Sequence, residues 1–290
     1  MLRDLIKWAL PVLLLSACGK ELSVDSTDPG YSGNGGGGST NGGLLTKVVA
    51  ASSIDTSTTE YTYDVNKRLI KETYLSTSGS LGGMQASYEF RIYRNSAGLI
   101  TKYTYITSEL AGSGLDSLVY EARYNSATSR YTAIVSYAYE TGFDPEVYDS
   151  TALTYNTAGK LIKANGYVNA FGTYELYSAY DYTYDASGNL GSSTQSVETG
   201  SGVAPLMKLG FTYDGKKASI TLPYQDAVAL NNMQYANSQN VLKTNITVYS
   251  SGAPQSFEVA STYKYNSNNQ PSSANLVSQN GIQTATYFYK

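Results

Sequence analysis

Histidine is absent from this sequence of 290 residues, and cysteine occurs once, at Cys18. Without histidine the chain cannot form a Ser-His-Asp or Cys-His catalytic centre, a histidine-ligated metal site or the usual proton shuttle near neutral pH. One cysteine cannot form an intrachain disulfide or a zinc–thiolate cluster. We therefore expect no enzyme of these classes, no metal site and no cofactor.

Positive charge is also scarce. The chain carries 20 Lys and Arg against 23 Asp and Glu, which gives a formal net charge of −3. Proteins that bind nucleic acid need a basic patch to neutralise phosphates. We therefore expect no nucleic-acid partner.

The N-terminus has the pattern of an export signal. Two basic residues precede an apolar stretch over residues 8–15, which is shorter than the about 20 residues that a membrane-spanning helix needs. This pattern predicts a signal peptide over residues 1–17. Residues 15–18 read Leu-Ser-Ala-Cys and resemble the lipobox of bacterial lipoproteins. The resemblance implies that the chain is cut before Cys18 and that acyl groups on Cys18 anchor it to a membrane.

The segment after Cys18 is rich in glycine, serine, threonine and asparagine and holds few apolar side chains. Such a segment cannot bury enough surface to offset the entropy cost of ordering. Residues 18–44 are therefore predicted to be the lipidated cysteine and a flexible tether, followed by one folded domain over residues 45–290.

From residue 45 onward, Tyr followed by Asp or Asn, then Gly and Leu, recurs with a period of about 30 residues. Its fullest copy, residues 182–190, reads YTYDASGNL. The anchor tyrosines of the copies are Tyr63, Tyr93, Tyr124, Tyr155, Tyr184, Tyr213, Tyr235 and Tyr265.

Each copy predicts a β-hairpin. Alternating β-branched and aromatic residues favour a strand, Asp or Asn with a following Gly favours a turn, and Leu begins the returning strand. Eight such hairpins of about 30 residues predict an all-β antiparallel meander of about 16 strands. We expect a curved or rolled sheet, with a closed barrel as the alternative.

The copy at residues 182–190 resembles the YD repeat of Rhs-type and teneurin-type shell proteins. The whole mature chain resembles the YD-containing surface lipoproteins of Bacteroidetes. This resemblance implies display on the cell surface by a lipid anchor and no established activity.

Tyrosine outnumbers phenylalanine 29 to 6, and many tyrosines lie two positions apart. Tyr180, Tyr182 and Tyr184 form the longest such set, and a strand places all three on one face. Two interpretations follow from this pattern. The tyrosines pair across strands and hold the sheet together, or they form a platform on which sugar rings stack.

Sixteen strands with alternating short and long turns are also typical of an outer-membrane pore. The strand at residues 68–75 counts against a pore, since it carries Arg68 and Glu72 on one face and Lys71 on the other. Neither face then suits hydrocarbon, and a lipid anchor would be redundant on an integral barrel.

The sequence thus indicates a cell-envelope surface lipoprotein with a binding or structural display role and no catalysis. The anchor on Cys18 places it on the outer membrane, surface-exposed or, alternatively, facing the periplasm, with polysaccharide or another envelope protein as candidate partner. A glycan-binding accessory protein is the sharper alternative, and a carboxylate-dependent glycan hydrolase is the rival, since that chemistry needs no histidine. Asp144, Glu146 and Asp149 cluster on one predicted long turn, as solvated surface or a weak calcium site.

Overall fold

The computed structural model of the chain describes residues 43–78, 84–107, 115–140, 146–170, 173–249, 253–279 and 281–290. The predicted signal peptide, Cys18 and the predicted tether up to residue 42 lie outside these ranges. Their roles stay predictions.

Within the described ranges the chain forms sixteen strands, all antiparallel to their neighbours. They are β1 (Leu45–Ala51), β2 (Asp55–Tyr63), β3 (Leu69–Ser78), β4 (Met84–Arg94), β5 (Ile100–Thr107), β6 (Leu115–Asn125), β7 (Arg130–Glu140), β8 (Glu146–Tyr155), β9 (Leu161–Ala170), β10 (Thr173–Tyr184), β11 (Leu190–Glu198), β12 (Val203–Lys217), β13 (Gln239–Val248), β14 (Gln255–Tyr265), β15 (Pro271–Ser278) and β16 (Gly281–Tyr289).

The sheet closes into a barrel. Each strand pairs with the next, and β16 pairs with β1 from Leu45 opposite Tyr289 onward. Leu44 and Lys290 exchange two backbone hydrogen bonds of 2.9 Å beside this seam. The predicted all-β meander is confirmed, and of its two predicted forms the closed barrel is the one observed. Closure pairs the N–H and C=O groups that two free edge strands would expose.

Turn chemistry explains the short connections. In the turn between β10 and β11, a carboxylate oxygen of Asp185 accepts hydrogen bonds of 2.9 Å from the backbone N–H groups of Ser187 and Asn189. Gly188 follows with φ of 84°, a conformation that glycine adopts without steric cost. The turns of this type, which begin with Asp or Asn, all lie at one end of the barrel, here called the plugged end. The opposite end is called the distal end.

The pleat divides each strand between two environments. Ion pairs between neighbouring strands run along the outer face, among them Lys47–Glu60 at 2.9 Å and Lys243–Glu258 at 3.1 Å. Apolar side chains such as Ile282 are interspersed there. The inner face is mostly aliphatic and aromatic, and its best-buried residues are Leu45, Leu69, Ile100, Tyr131, Leu161 and Leu190.

One connection at the plugged end departs from the hairpin pattern. Between β12 and β13 the chain forms a segment over residues 218–238, here called the plug. The plug contains helix α1 (Tyr224–Ala229) and a 3-10 helix (Met233–Ala236). The prediction that Tyr235 anchors a hairpin repeat is wrong, because Tyr235 lies in this 3-10 helix and is buried. The shortened spacing of 22 residues after Tyr213 reflects the insertion.

Both ends of the barrel's chain lie at the plugged end. β1 begins there and β16 ends there, and the side-chain amide of Gln270 donates to the carbonyl of Gly43 over 2.8 Å. The residues that precede Gly43 therefore join the domain at this end.

Candidate functional site

Tyrosine hydroxyls form a ring of hydrogen bonds at the plugged end. In most hairpins the last inward tyrosine of one strand donates to the carbonyl at the start of the preceding strand. Tyr184 donates to Leu161 over 2.7 Å, and Tyr213 donates to Leu190 over 2.6 Å. Because each bond joins two strands, the repeated tyrosines have a structural role at this end. The same arrangement holds for Tyr63 with Leu45, Tyr155 with Tyr131 and Tyr289 with Pro271. On β14 the last tyrosine, Tyr265, donates to the carboxylate of Asp214 instead.

An ion pair ties the plug to the wall of the barrel. Both guanidinium nitrogens of Arg94, at the end of β4, donate to the carboxylate of Asp226 on α1, over 3.0 and 2.6 Å. The two side chains are 6% and 9% exposed. Arg94 also donates to the carbonyl of Gly98 over 2.9 Å. The guanidinium therefore joins the helix to a turn of the barrel.

A second contact on the same side of the barrel involves Glu72 on β3, which is 6% exposed. Its carboxylate accepts hydrogen bonds from the hydroxyl of Tyr88 over 2.5 Å and from the hydroxyl of Tyr235, in the plug, over 2.7 Å. Burial and the Glu72 charge raise the pKa of both tyrosines. Both hydroxyls therefore stay protonated and donate.

The plug also bonds to strands on the other side of the barrel. The N–H of Leu161 on β9 donates to the hydroxyl of Tyr224 over 2.5 Å, and the N–H of Leu190 on β11 donates to the side chain of Asn237 over 2.8 Å. In the strand order, β3 and β4 lie well apart from β9 and β11. A segment bonded to both sets must cross the lumen at this end.

The distal half of the lumen has a different lining. Tyr120 on β6, Thr151 on β8 and Tyr180 on β10 each lie four residues before the anchor tyrosine of the same strand. That places them about 13 Å along the strand from the plugged end. Their side chains are half-buried. The plug's hydrogen bonds reach less far, since Glu72 lies only three residues into β3.

Ring stacks line this part of the inner wall. Tyr120 stacks on Tyr103 with ring centroids 4.5 Å apart and an interplanar angle of 10°. Tyr180 lies parallel to Tyr182 at 6.3 Å. In each pair one ring is buried and the other is half-buried. Tyr120 and Tyr180 are therefore the members of these two pairs that keep partial exposure.

A polar strip lies between these two stacks. Asp149 on β8 is directly opposite Ser136 on β7, and Thr151 follows two positions later on the same inner face. The N–H of Asp149 donates to the Ser136 hydroxyl over 3.1 Å. Burial raises the pKa of the Asp149 carboxyl, and its hydrogen bond with the Ser136 side chain opposes that shift. Ser136 is buried, at 1% exposure. The strip thus offers the carboxylate of Asp149 and the hydroxyl of Thr151 to the lumen.

The three tyrosines predicted to stack a ligand all lie on the inner face. Tyr182 is 8% exposed, and the Tyr184 hydroxyl belongs to the ring of hydrogen bonds at the plugged end. Tyr180 is half-buried in the distal half, and burial raises its pKa to about 12. The predicted stacking role stays a prediction, and Tyr180 is the member best placed for it.

Of the three acidic residues predicted to cluster on a long turn, only the side chain of Asp149 lies among the described residues. Asp149 lies within β8 on the inner face, whereas the side chains of Asp144 and Glu146 lie outside the described residues. On β10, Glu175 shares the inner face with Asp149, because both lie opposite Val168 on the intervening strand β9. Two strand spacings separate their backbones, about 10 Å.

Sequence reasoning missed the plug, its contacts with Arg94 and Glu72, and the inward position of Tyr120. The shortened spacing between Tyr213 and Tyr235 was the available signal for the plug. The described side chains contain no group of three or more Cys, Asp and Glu able to hold a metal ion. In the described part of the chain no helix has the length and apolarity to cross a membrane.

No protein-family profile and no curated protein matches the sequence. Solved structures do resemble the barrel. A porin-like protein from Bacteroides uniformis ATCC 8492 aligns with 86% of this chain and 98% of its own, at 14% identity and a TM-score of 0.52. A porin-like protein from Bacteroides vulgatus ATCC 8482 aligns with 86% of this chain and 99% of its own, with the same identity and TM-score. At this identity the similarity shows the fold.

Proposed function

We propose that this protein is a lipid-anchored protein of the outer membrane that binds a ligand in its barrel and does not act as a pore. The plug carries this proposal, because hydrogen bonds to strands on both sides of the barrel hold it across the lumen. The similarity to porin-like proteins of Bacteroides supports an envelope location.

The charges on the outer face favour a barrel that is surrounded by water and not by lipid. Charged pairs such as Lys71–Glu89 and Lys163–Asp181 lie on outward positions of β3, β4, β9 and β10. On an integral barrel, each Lys or Arg facing lipid at the bilayer midplane costs about 2–4 kcal/mol. A water-exposed barrel needs another attachment to the membrane, and an acylated Cys18 supplies it.

Anchoring at Cys18 also gives the barrel an orientation. The chain enters β1 at the plugged end, so a tether from the membrane reaches that end first. The distal end is then the end that the anchor leaves unattached. This arrangement favours a binding role over passage through the barrel.

The anchor is tested with Cys18→Ala in the full chain, labelled with a fatty-acid probe. We expect the substituted chain to carry no label and to remain uncut, because it has no other thiol. Ser23→Ala, in the predicted tether, is the matched control and should be labelled like the wild type. Label retained on Cys18→Ala contradicts the anchor.

The water-exposed barrel is tested with the mature chain from residue 19. We expect it to remain monodisperse without detergent, because its outer face is charged. We also expect no conductance steps in a planar bilayer, because the plug crosses its lumen. A chain that needs detergent and conducts ions contradicts the proposed function.

A carboxylate-dependent glycan hydrolase is the second candidate, because Asp149 and Glu175 share the inner face. Glycosidases use a pair of carboxylates about 5–10 Å apart, one of them with a raised pKa. Burial raises the pKa of Asp149, and Glu175 is exposed. Release of reducing ends from a polysaccharide, abolished by both Asp149→Asn and Glu175→Gln, would establish this activity. Intact polysaccharide after long incubation would exclude it.

A further inference from the structure

We propose that the distal half of the lumen binds a short neutral oligosaccharide. The saccharide stacks on Tyr120 and Tyr180, and its hydroxyls donate hydrogen bonds to the carboxylate of Asp149. This inference rests on the proposed function, since it names the ligand of the proposed binding barrel.

The spacing of the two half-buried rings determines the size of the ligand. Tyr120 and Tyr180 lie at the same distance from their anchor tyrosines, on strands β6 and β10. Four strand spacings separate β6 from β10, about 19 Å along the wall. A chain of several sugar rings spans that distance, whereas a monosaccharide reaches only one tyrosine. The site therefore fits an oligosaccharide.

The rings are already positioned. Parallel neighbours hold both, Tyr103 beside Tyr120 and Tyr182 beside Tyr180, with interplanar angles of 10°. A ring fixed in this way loses little conformational freedom when a ligand stacks on it, because tyrosine has only two side-chain torsions. Stacking on an aromatic face also tolerates several sugar types, since it depends on the flat apolar face of the sugar.

The strip between the rings matches the polar edge of a sugar. The Asp149 carboxylate is a strong acceptor for hydroxyl groups. Thr151 supplies a half-buried hydroxyl that can both donate and accept. A half-buried acceptor gains more from a sugar hydroxyl than a solvated one, because less water competes for it.

The charge of the wall selects a neutral ligand. The described inner-face residues of the distal half include the carboxylates of Asp149 and Glu175 and no Lys or Arg. Arg94, on the inner face of the plugged end, is paired with Asp226. An anionic saccharide would meet carboxylates without a compensating cation. A neutral saccharide meets no such cost.

Isothermal titration of the mature chain with neutral oligosaccharides of glucose, xylose, mannose and N-acetylglucosamine tests the proposal. We expect at least one to bind. Tyr120→Ala and Tyr180→Ala should each raise its Kd about tenfold or more, the loss of a stacking contact. Tyr180→Phe should bind like the wild type, because the ring is kept. Tyr167→Ala, on the outer face of β9, is the matched control and should also bind like the wild type.

Asp149→Asn separates a saccharide from an organic cation. An asparagine still accepts a hydroxyl hydrogen bond, so the Kd for the saccharide should rise by no more than about tenfold. Benzyltrimethylammonium serves as the cation probe. Binding of that cation alone, abolished by Asp149→Asn, would overturn the saccharide proposal. The saccharide proposal would also be overturned if the wild-type chain is soluble and does not conduct ions but binds none of the oligosaccharides. That result would not contradict the proposed function.

Discussion

At the plugged end, the hydroxyl of Tyr213 lies 2.6 Å from the carbonyl of Leu190, and the hydroxyl of Tyr63 lies 2.6 Å from the carbonyl of Leu45. A phenylalanine could fill the same space but could not donate these hydrogen bonds. Desolvation raises the pKa of both tyrosines, which keeps them protonated. The excess of tyrosine over phenylalanine in the sequence thus reflects a repeated hydrogen bond as well as ring packing.

Tyr213→Phe should lower the free energy of unfolding by about 0.5–1.5 kcal/mol, the net contribution of one hydrogen bond. The ring stays in place, so the change isolates the hydroxyl. Urea unfolding followed by circular dichroism measures it. Tyr174→Phe, at an exposed site, is the control and should leave the midpoint unchanged. Equal midpoints for both variants would contradict a structural role for the hydroxyl.

The hairpins and the plug differ in how far sequence predicts them. Each hairpin is encoded locally, since an Asp or Asn and a residue with positive φ form its short turn. Where glycine is missing, Lys67 and Asn269 adopt positive φ of 61° and 57° at the corresponding positions. The plug lacks such a signal, because α1 spans only six residues and its folding depends on contacts with the wall.

Arg94→Met should destabilise the barrel by about 3–5 kcal/mol, because it removes the positive charge that pairs with the buried Asp226 carboxylate. Lys243→Met breaks the exposed pair with Glu258 and should cost at most about 1 kcal/mol. Thermal or urea unfolding of the two variants measures the loss in the free energy of unfolding that each substitution causes. A loss as small for Arg94→Met as for Lys243→Met would mean that the plug contributes little to stability.

Across the whole molecule, the closed barrel turns two faces of one meander into an outside and an inside. Lysine, glutamate and threonine meet water, whereas leucine, isoleucine and tyrosine meet each other and the plug. The distal half of the lumen adds a half-buried carboxylate, Asp149, to the half-buried rings of Tyr120 and Tyr180. This combination of rings and an acceptor is what makes it the candidate binding site.

Stability should fall at alkaline pH. Burial raises the pKa of the inward tyrosines, that of Tyr180 to about 12, whereas an unfolded tyrosine titrates near about 10. The unfolded chain therefore loses these protons first, so the stabilisation is complete below about pH 10 and is lost as the pH rises through about 12.

Urea midpoints measured across this range should be level up to about pH 9 and decrease above about pH 10. Tyrosinate absorbance should rise together with the loss of the β-type circular dichroism signal. Complete tyrosine ionisation near about pH 10 with an intact β signal would mean that the inner tyrosines are in water.

The sequence by itself determined the all-β hairpin pattern, the number of strands and the pairing of tyrosine with turn residues, because these depend on alternation and on local turn chemistry. It also indicated that Tyr180, Tyr182 and Tyr184 share a face. Only the tertiary structure decided that the sheet closes, that this face points inward and that Arg94 and Asp226 meet. These features depend on contacts between residues far apart in the chain, since the last strand must reach the first and a six-residue helix is stable only when packed.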